Sequence, residues 1–217
     1  MPTAYLLDLY DTLAFGDWAA WRDELASVTG LSQDEIGRAY ERTRAARNRG
    51  EFESPAGDMM AILDAAGLDA SLADRVLEAE TAFGDRIALF DDVLPTLARM
   101  RERGHRTVLV SNCSWGTRSS VERLGLDRAC DAVVLSCEVG VHKPEPGIYR
   151  IALEALDVVP DAAVFVDDQA AYCDGARALG IDTRLIQRPT ASPFEGFAQS
   201  TNGHTVITAL AELLDED

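Results

Sequence analysis

The chain has 217 residues, 47% hydrophobic and 26% charged, enough to bury a substantial core as one domain or one domain with an insertion. Lys and Arg total 20 against 37 Asp and Glu, a net charge of −17 that argues against nucleic acid or an anionic membrane as the main partner. An anionic substrate would therefore need a local positive pocket. Cys113, Cys130, Cys137 and Cys173 contain no CxxC pair and read as reduced thiols. The opening MPTAYLLDLYDTL lacks a basic segment ahead of its apolar run, and no stretch approaches the ~20 apolar residues of a membrane span, so a cytoplasmic protein is expected.

In chain order, residues 4–7 form a short apolar run that reads as a buried strand. From about Phe15 to Ile87 the pattern is helical, over 18–29, 33–49, 55–66 and 72–83. Gly30 and Gly67 stand where helices should stop, and Ser32, Ser54 and Ser71 where they could be capped. Beyond this insert a helix is expected over 92–103, a strand over 107–110, a helix over 115–124 and a strand over 132–135. A helix over 146–156, a strand over 162–166, a helix over 169–179, a strand over 183–186 and a last helix over 205–214 follow. Strands alternating with helices predict an α/β fold, a Rossmann-like three-layer core around a parallel sheet. Roughly 90 residues separate the first two strands where a crossover needs only a dozen or more, so an α-helical cap is inserted there. The expected division is a core of 1–14 and 88–217 and a cap of 15–87.

Ligands of open parallel sheets bind beyond the carboxyl ends of the strands. Strand one ends in Asp8-Leu9-Tyr10-Asp11-Thr12-Leu13 and strand two in Ser111-Asn112. The segment after strand three carries Lys143-Pro144, and strand four ends in Asp167-Asp168. Any one of these is more often a turn or a helix cap than a catalyst. The ordered set resembles the haloacid dehalogenase (HAD) superfamily, whose motifs are an Asp-x-Asp-x-Thr loop, a Ser or Thr, a Lys and an acidic pair. HKPEPGIY around Lys143 and FVDDQAAYCDGARALG around Asp167 are similar to the subgroup with a helical cap after the first motif.

The resemblance implies a hydrolase acting on a small, anionic substrate. Asp8 would attack as a nucleophile and form an ester that water then cleaves. Mg2+ held by Asp8, Asp167, Asp168 and the Tyr10 carbonyl would relieve repulsion between that carboxylate and a phosphate; one of the acidic pair could instead cap the helix beginning near Gln169, and Asp168 is slightly favoured as the ligand. Lys143 would supply fixed positive charge. Ser111 and Asn112 would hold the substrate, with a helix N-cap as the plainer role for Ser111, and Thr12 would orient the nucleophile loop. Cys113 lacks a paired histidine and is not expected to be a nucleophile. Trp18, Trp21 and Phe15 are expected mainly to pack the cap.

One departure divides the expectations. Phosphatases of the family carry a second Asp two residues after the nucleophile as general acid and base; Tyr10 stands there, and Asp11 one residue later need not point the same way. Tyr in that place, and Tyr149 six residues after Lys143, are similar to the metal-free L-2-haloacid dehalogenases. Those enzymes, however, replace the acidic pair and use a cap arginine, for which Arg22, Arg42, Arg44 and Arg47 are all available. Three readings stay open: a Mg2+-dependent phosphate monoesterase, a metal-free hydrolase at carbon, and a weakened member that binds a ligand or partner.

Overall fold

The computed structural model describes residues 3–188 and 201–215. Strands β1 (Ala4–Leu7) and β2 (Ala14–Phe15) lead into helices α1 (Trp18–Thr29), α2 (Gln33–Asn48), α3 (Pro55–Ala66) and α4 (Ala73–Arg86). Next come β3 (Ala88–Leu89), α5 (Val93–Glu102), β4 (Arg106–Ser111), α6 (Thr117–Arg123), α7 (Leu126–Ala129), β5 (Ala132–Leu135) and α8 (Ser136–Val139). The chain continues through α9 (Pro146–Leu156), β6 (Ala163–Asp167), α10 (Ala170–Arg177), β7 (Asp182–Ile186) and β8 (Thr205–Ile207).

Six strands form one sheet in the order β5-β4-β1-β6-β7-β8, every neighbouring pair parallel. Side chains alternate across a strand, and the two faces of β1 enter different cores. Ala4 and Leu6 pack with Ile148, Tyr149, Ala152 and Leu156 of α9 and Cys173 and Ala176 of α10. Tyr5 and Leu7 pack with Val93, Leu97 and Met100 of α5, Val121 of α6 and Leu210, Leu213 and Leu214. The result is the three-layer α/β architecture of the sequence expectation.

The helical insert forms as its punctuation implies. Ser32 and Glu35 make a reciprocal capping box at α2, the Ser54 hydroxyl accepts from the Gly57 N–H at 3.0 Å, and Gly30 and Gly67 close α1 and α3 with left-handed backbone. Ser71 departs from expectation: it lies inside a 3-10 turn, Ala70–Leu72, where its own N–H donates to the Asp69 carboxylate. At the base of the insert β2 and β3 pair antiparallel, Ala14 with Leu89 and Phe15 with Ala88, so both ends leave the core at one place.

The expected helix over 205–214 is also corrected. Thr205, Val206 and Ile207 are three consecutive β-branched residues, stiff at χ1 and suited to a pleated edge. They pair with β7, Ile207 opposite Ile186, and only Leu210–Leu214 coils into a 3-10 turn.

The helical insert and the α/β core meet closely at Gly50, whose φ is +69° and whose carbonyl accepts from Trp115 Nε1 at 3.2 Å. A Cβ on Gly50 would lie 1.9 Å from the Cys137 carbonyl oxygen. Left-handed backbone and this approach both demand glycine. Gly50→Ala is expected to cost about 1–3 kcal/mol, read as a lowered urea midpoint; an unchanged midpoint would show that this contact does not restrain the native state.

Candidate active site: a lysine bridging two strand ends

The parallel register sets Leu7 of β1 opposite Leu109 of β4 on one side and Val166 of β6 on the other. The next residues along the chain, Asp8, Val110 and Asp167, therefore come side by side at the carboxyl edge. Lys143 enters this edge from the loop between α8 and α9. Its ammonium donates to Asp8 Oδ1 at 2.5 Å, Asp167 Oδ2 at 2.6 Å and the Val110 carbonyl at 3.1 Å. Lys143 is 1% exposed, and burial alone would pull its pKa down; the Asp167 and Asp8 carboxylates outweigh burial and hold it above the ordinary lysine range. Asn112 braces the same residue twice, donating from Nδ2 to the Lys143 carbonyl at 2.8 Å and accepting the Lys143 N–H at 2.7 Å.

Asp8 Oδ2 takes no hydrogen bond among the described residues, and Asp8 borders a cavity of about 700 Å³ between cap and core. Tyr10, Asp11, Asn112, Lys143 and Asp168 border the same space, whereas Thr12, Ser111 and Asp167 lie behind it. The Ser111 and Thr12 hydroxyls are buried without a hydrogen-bond partner among the described residues, and α6 is N-capped by Gly116 with no side-chain cap bond, so Ser111 is not an N-cap. Asp167 is the one that serves the following helix, its Oδ1 accepting from the Gln169 N–H at 2.8 Å.

One carboxylate oxygen from each of Asp8, Asp167 and Asp168 can be chosen so that all lie within 4.8 Å of one another. Lys143 pairs with the first two; Asp168 makes no ion pair among the described residues. Burial, then the negative charges of Asp167, Asp8 and Asp11, push the Asp168 carboxyl up to about 9. Asp11, at φ +57°, is raised to about 6, mainly by burial, with the Asp8 carboxylate adding to the rise.

Tyr10 does not fill the role of the second Asp. Its hydroxyl meets Thr117 Oγ1 at 3.3 Å, its ring packs edge-on against Trp18, and burial raises its phenol above the ordinary range, so it is no base at neutral pH. Tyr149 is fully buried, donates to the Tyr172 carbonyl at 2.7 Å and does not border the cavity.

The cap supplies residues that sequence reasoning did not place. Trp18 and Trp21 border the cavity as well as packing the cap, while Phe15 stacks on Phe90. The Glu80 carboxylate accepts from Trp21 Nε1 at 2.8 Å and from the Tyr40 hydroxyl. Of the arginines weighed from the sequence, Arg22, Arg44 and Arg47 border the cavity, and Arg38 joins them; Arg42 donates instead to the Ala65 carbonyl. Arg47 lies over the Tyr40 ring at 4.9 Å, donates to Thr43 Oγ1 and the Tyr40 carbonyl, and makes no ion pair among the described residues. The spacing of Tyr40, Thr43 and Arg47 places them on one face of α2, and the burial of Thr43 and Arg47 shows that this polar stripe faces inward, against the usual rule for polar residues.

A family model described as haloacid dehalogenase-like hydrolase matches residues 2–180, and the chain belongs to that family of hydrolases. It is similar to Phosphatase MT3486 of Mycobacterium tuberculosis, 26% identical over 86% of this chain and 88% of that protein. It is also similar to (S)-2-haloacid dehalogenase 1 of a Pseudomonas species, 29% identical over 59% of this chain and 57% of that one. The match to mouse acyl-CoA dehydrogenase family member 10 covers 46% of this chain but 9% of that protein. The fold is shared with a HAD-family enzyme from Bacteroides thetaiotaomicron solved with magnesium and inorganic phosphate, at TM-score 0.71 and 20% identity, covering 92% of this chain and 100% of that one. No described helix is long and apolar enough to cross a membrane.

The raised Asp168 has a signed consequence for stability. Between the ordinary carboxyl value, 3.8, and about 9, the folded chain keeps a proton that the unfolded chain has released, so stability falls as pH rises through that window. Asp168→Asn cannot titrate and escapes this loss. With EDTA present, it is expected to melt above wild type at about pH 8 and to converge with it below about pH 4. A pH-independent difference would contradict the assignment.

Proposed function

We propose that the chain hydrolyses a small phosphate monoester with Mg2+, through a covalent intermediate on Asp8. Residues 15–87 act as a cap over a core of 1–14 and 88–217. The observation that carries this reading is the charge imbalance: three clustered carboxylates face one ammonium, and Asp168 has no cationic partner among the described residues. Hard carboxylate oxygens at this spacing suit Mg2+, and the Tyr10 carbonyl, which accepts no hydrogen bond among the described residues, would join them in holding it. Mg2+ bound there supplies positive charge that offsets repulsion between Asp8 and the phosphate.

The side chains do the rest. Lys143 holds Asp8 Oδ1, so Oδ2 faces the cavity and attacks phosphorus, and the bond to the leaving oxygen breaks. Water then attacks phosphorus, releasing phosphate and restoring Asp8. Asn112 keeps Lys143 in place, and Arg44 and Arg47 are positioned on the cap side for an anionic substrate. The relation to a phosphatase across nearly the whole of both chains supports this reading.

Tyr10 favours a second reading, metal-free attack of Asp8 on the carbon of a 2-haloacid, because halide leaves without a proton and the Tyr10 phenol is a poor acid-base group. The readings separate in one assay. Hydrolysis of p-nitrophenyl phosphate is expected to require Mg2+, to stop with EDTA and with Asp8→Asn, and to slow by about 10²–10³-fold in Lys143→Met. Halide release from 2-halopropionate that ignores EDTA, without phosphatase activity, would replace the first reading by the second.

A further inference from the structure

Beside the reacting residues lies a pair of thiols to which the chemistry above gives no role. Cys113 follows β4 by two residues, and Cys137 lies in the first turn of α8 just past β5. Their sulfurs are 3.8 Å apart, and the residues are 5% and 4% exposed. Ser136 locks the two segments together: its hydroxyl accepts the Cys113 N–H at 2.9 Å and lies 3.3 Å from the Cys113 carbonyl. Cys113 borders the cavity that holds Asp8; Cys137 lies behind it.

The other two cysteines differ. Burial pushes the Cys130 thiol up to about 11 and Cys173 higher still. Burial also works against ionisation of Cys113, but hydrogen bonds involving Cys137, Thr117 and Ser136 outweigh it and leave its thiol below the ordinary value. Cys113 is therefore the one of these thiols that both borders the cavity and has its ionisation eased, and a second sulfur stands 3.8 Å from it.

We propose that Cys113 and Cys137 form an oxidative modification site, which a small hydroperoxide entering the cavity converts reversibly to a disulfide that turns the adjacent active site down. The Cys113 thiolate attacks one peroxide oxygen, the O–O bond breaks, and the departing hydroxide takes up a proton as water, leaving a sulfenic acid. Cys137 sulfur then attacks the sulfenic sulfur, the S–O bond breaks, and the second hydroxide leaves as water with the Cys137 proton. Two thiols lose two electrons and two protons, and one hydrogen peroxide becomes two waters.

Both ends of the new bond are attached to working parts. A disulfide sulfur pair sits at about 2.05 Å, so closure draws the loop after β4 toward α8. Asn112, next to Cys113, is the residue that braces Lys143, and Lys143 bridges Asp8 and Asp167. On the other side, the Cys137 carbonyl is the surface against which Gly50 of the cap is seated. Oxidation therefore displaces the lysine brace and the cap seat together.

The whole chain, reduced and then exposed to hydrogen peroxide, tests this by non-reducing peptide mapping alongside p-nitrophenyl phosphate turnover. Expected are a cross-linked peptide pair carrying Cys113 and Cys137, an intact mass lower by two hydrogens, and turnover reduced by about 10²-fold, the cost of a roughly 1 Å misplacement. Dithiothreitol should reverse all three. Cys137→Ser should keep the activity of the reduced protein, form no cross-link and expose a Cys113 sulfenic acid to dimedone. Only the turnover arm rests on the proposed phosphatase reading; the mapping arm decides the site even if that reading fails. Peroxide-treated wild type that keeps its circular dichroism yet yields no Cys113–Cys137 peptide overturns the site, and a complete cross-link with unchanged turnover overturns its effect on activity.

Discussion

The bond on which the site depends is the three-way contact of the Lys143 ammonium with Asp8, Asp167 and the Val110 carbonyl. Taking an ammonium and carboxylates out of water costs several kcal/mol per ion, and only close geometry with further hydrogen bonds recovers it. Each partner sits at the end of a different central strand, so the contact requires the order β4-β1-β6 and its register. The lysine itself comes from a loop beyond β5, held by Asn112. Sheet order, loop and brace are thus conditions for one buried ion cluster.

That cluster is electrostatically incomplete. Lys143 is matched to Asp8 and Asp167, and Asp168 adds a further carboxylate whose ionisation its surroundings oppose. In the proposed reading a cation completes it, and family membership joins the chain to hydrolases. Tyr10 and Asp11 then set it apart: the phenol turns aside to Thr117, and the Asp11 carboxyl borders the cavity from one position later in the chain. The charge pattern favours phosphorus, and Tyr10 is the residue that keeps carbon in contention.

Much of the core was legible because its signals are local. Residues 4–7, 132–135 and 146–156 have the bounds expected from hydrophobic periodicity, and Gly30, Gly67, Ser32 and Ser54 punctuate the cap as their chemistry demands. The 205–214 segment misled because its apolar spacing suits a helix while β-branching and pairing with β7 decide for a strand. Features of the site that depend on long-range packing were not legible. Which cap arginines reach the cavity depends on how α2 is turned toward the core. Cys113 and Cys137, 24 residues apart, meet only because β4 and β5 are neighbours. The burial of Ser111 and Thr12 behind the cavity likewise follows from tertiary packing and not from their motifs.

The nucleophile is where the account is most exposed. Rapid acid quenching of the Mg2+-loaded chain during turnover of a phosphate ester, followed by peptide mass mapping, asks which atom Asp8 attacks. One phosphoryl group on Asp8, absent in Asp8→Asn, is the expected result. Steady turnover with Asp8 unmodified, or haloacid turnover in ¹⁸O-water that leaves the label in the Asp8 carboxylate with no phosphoryl group ever trapped, would contradict it.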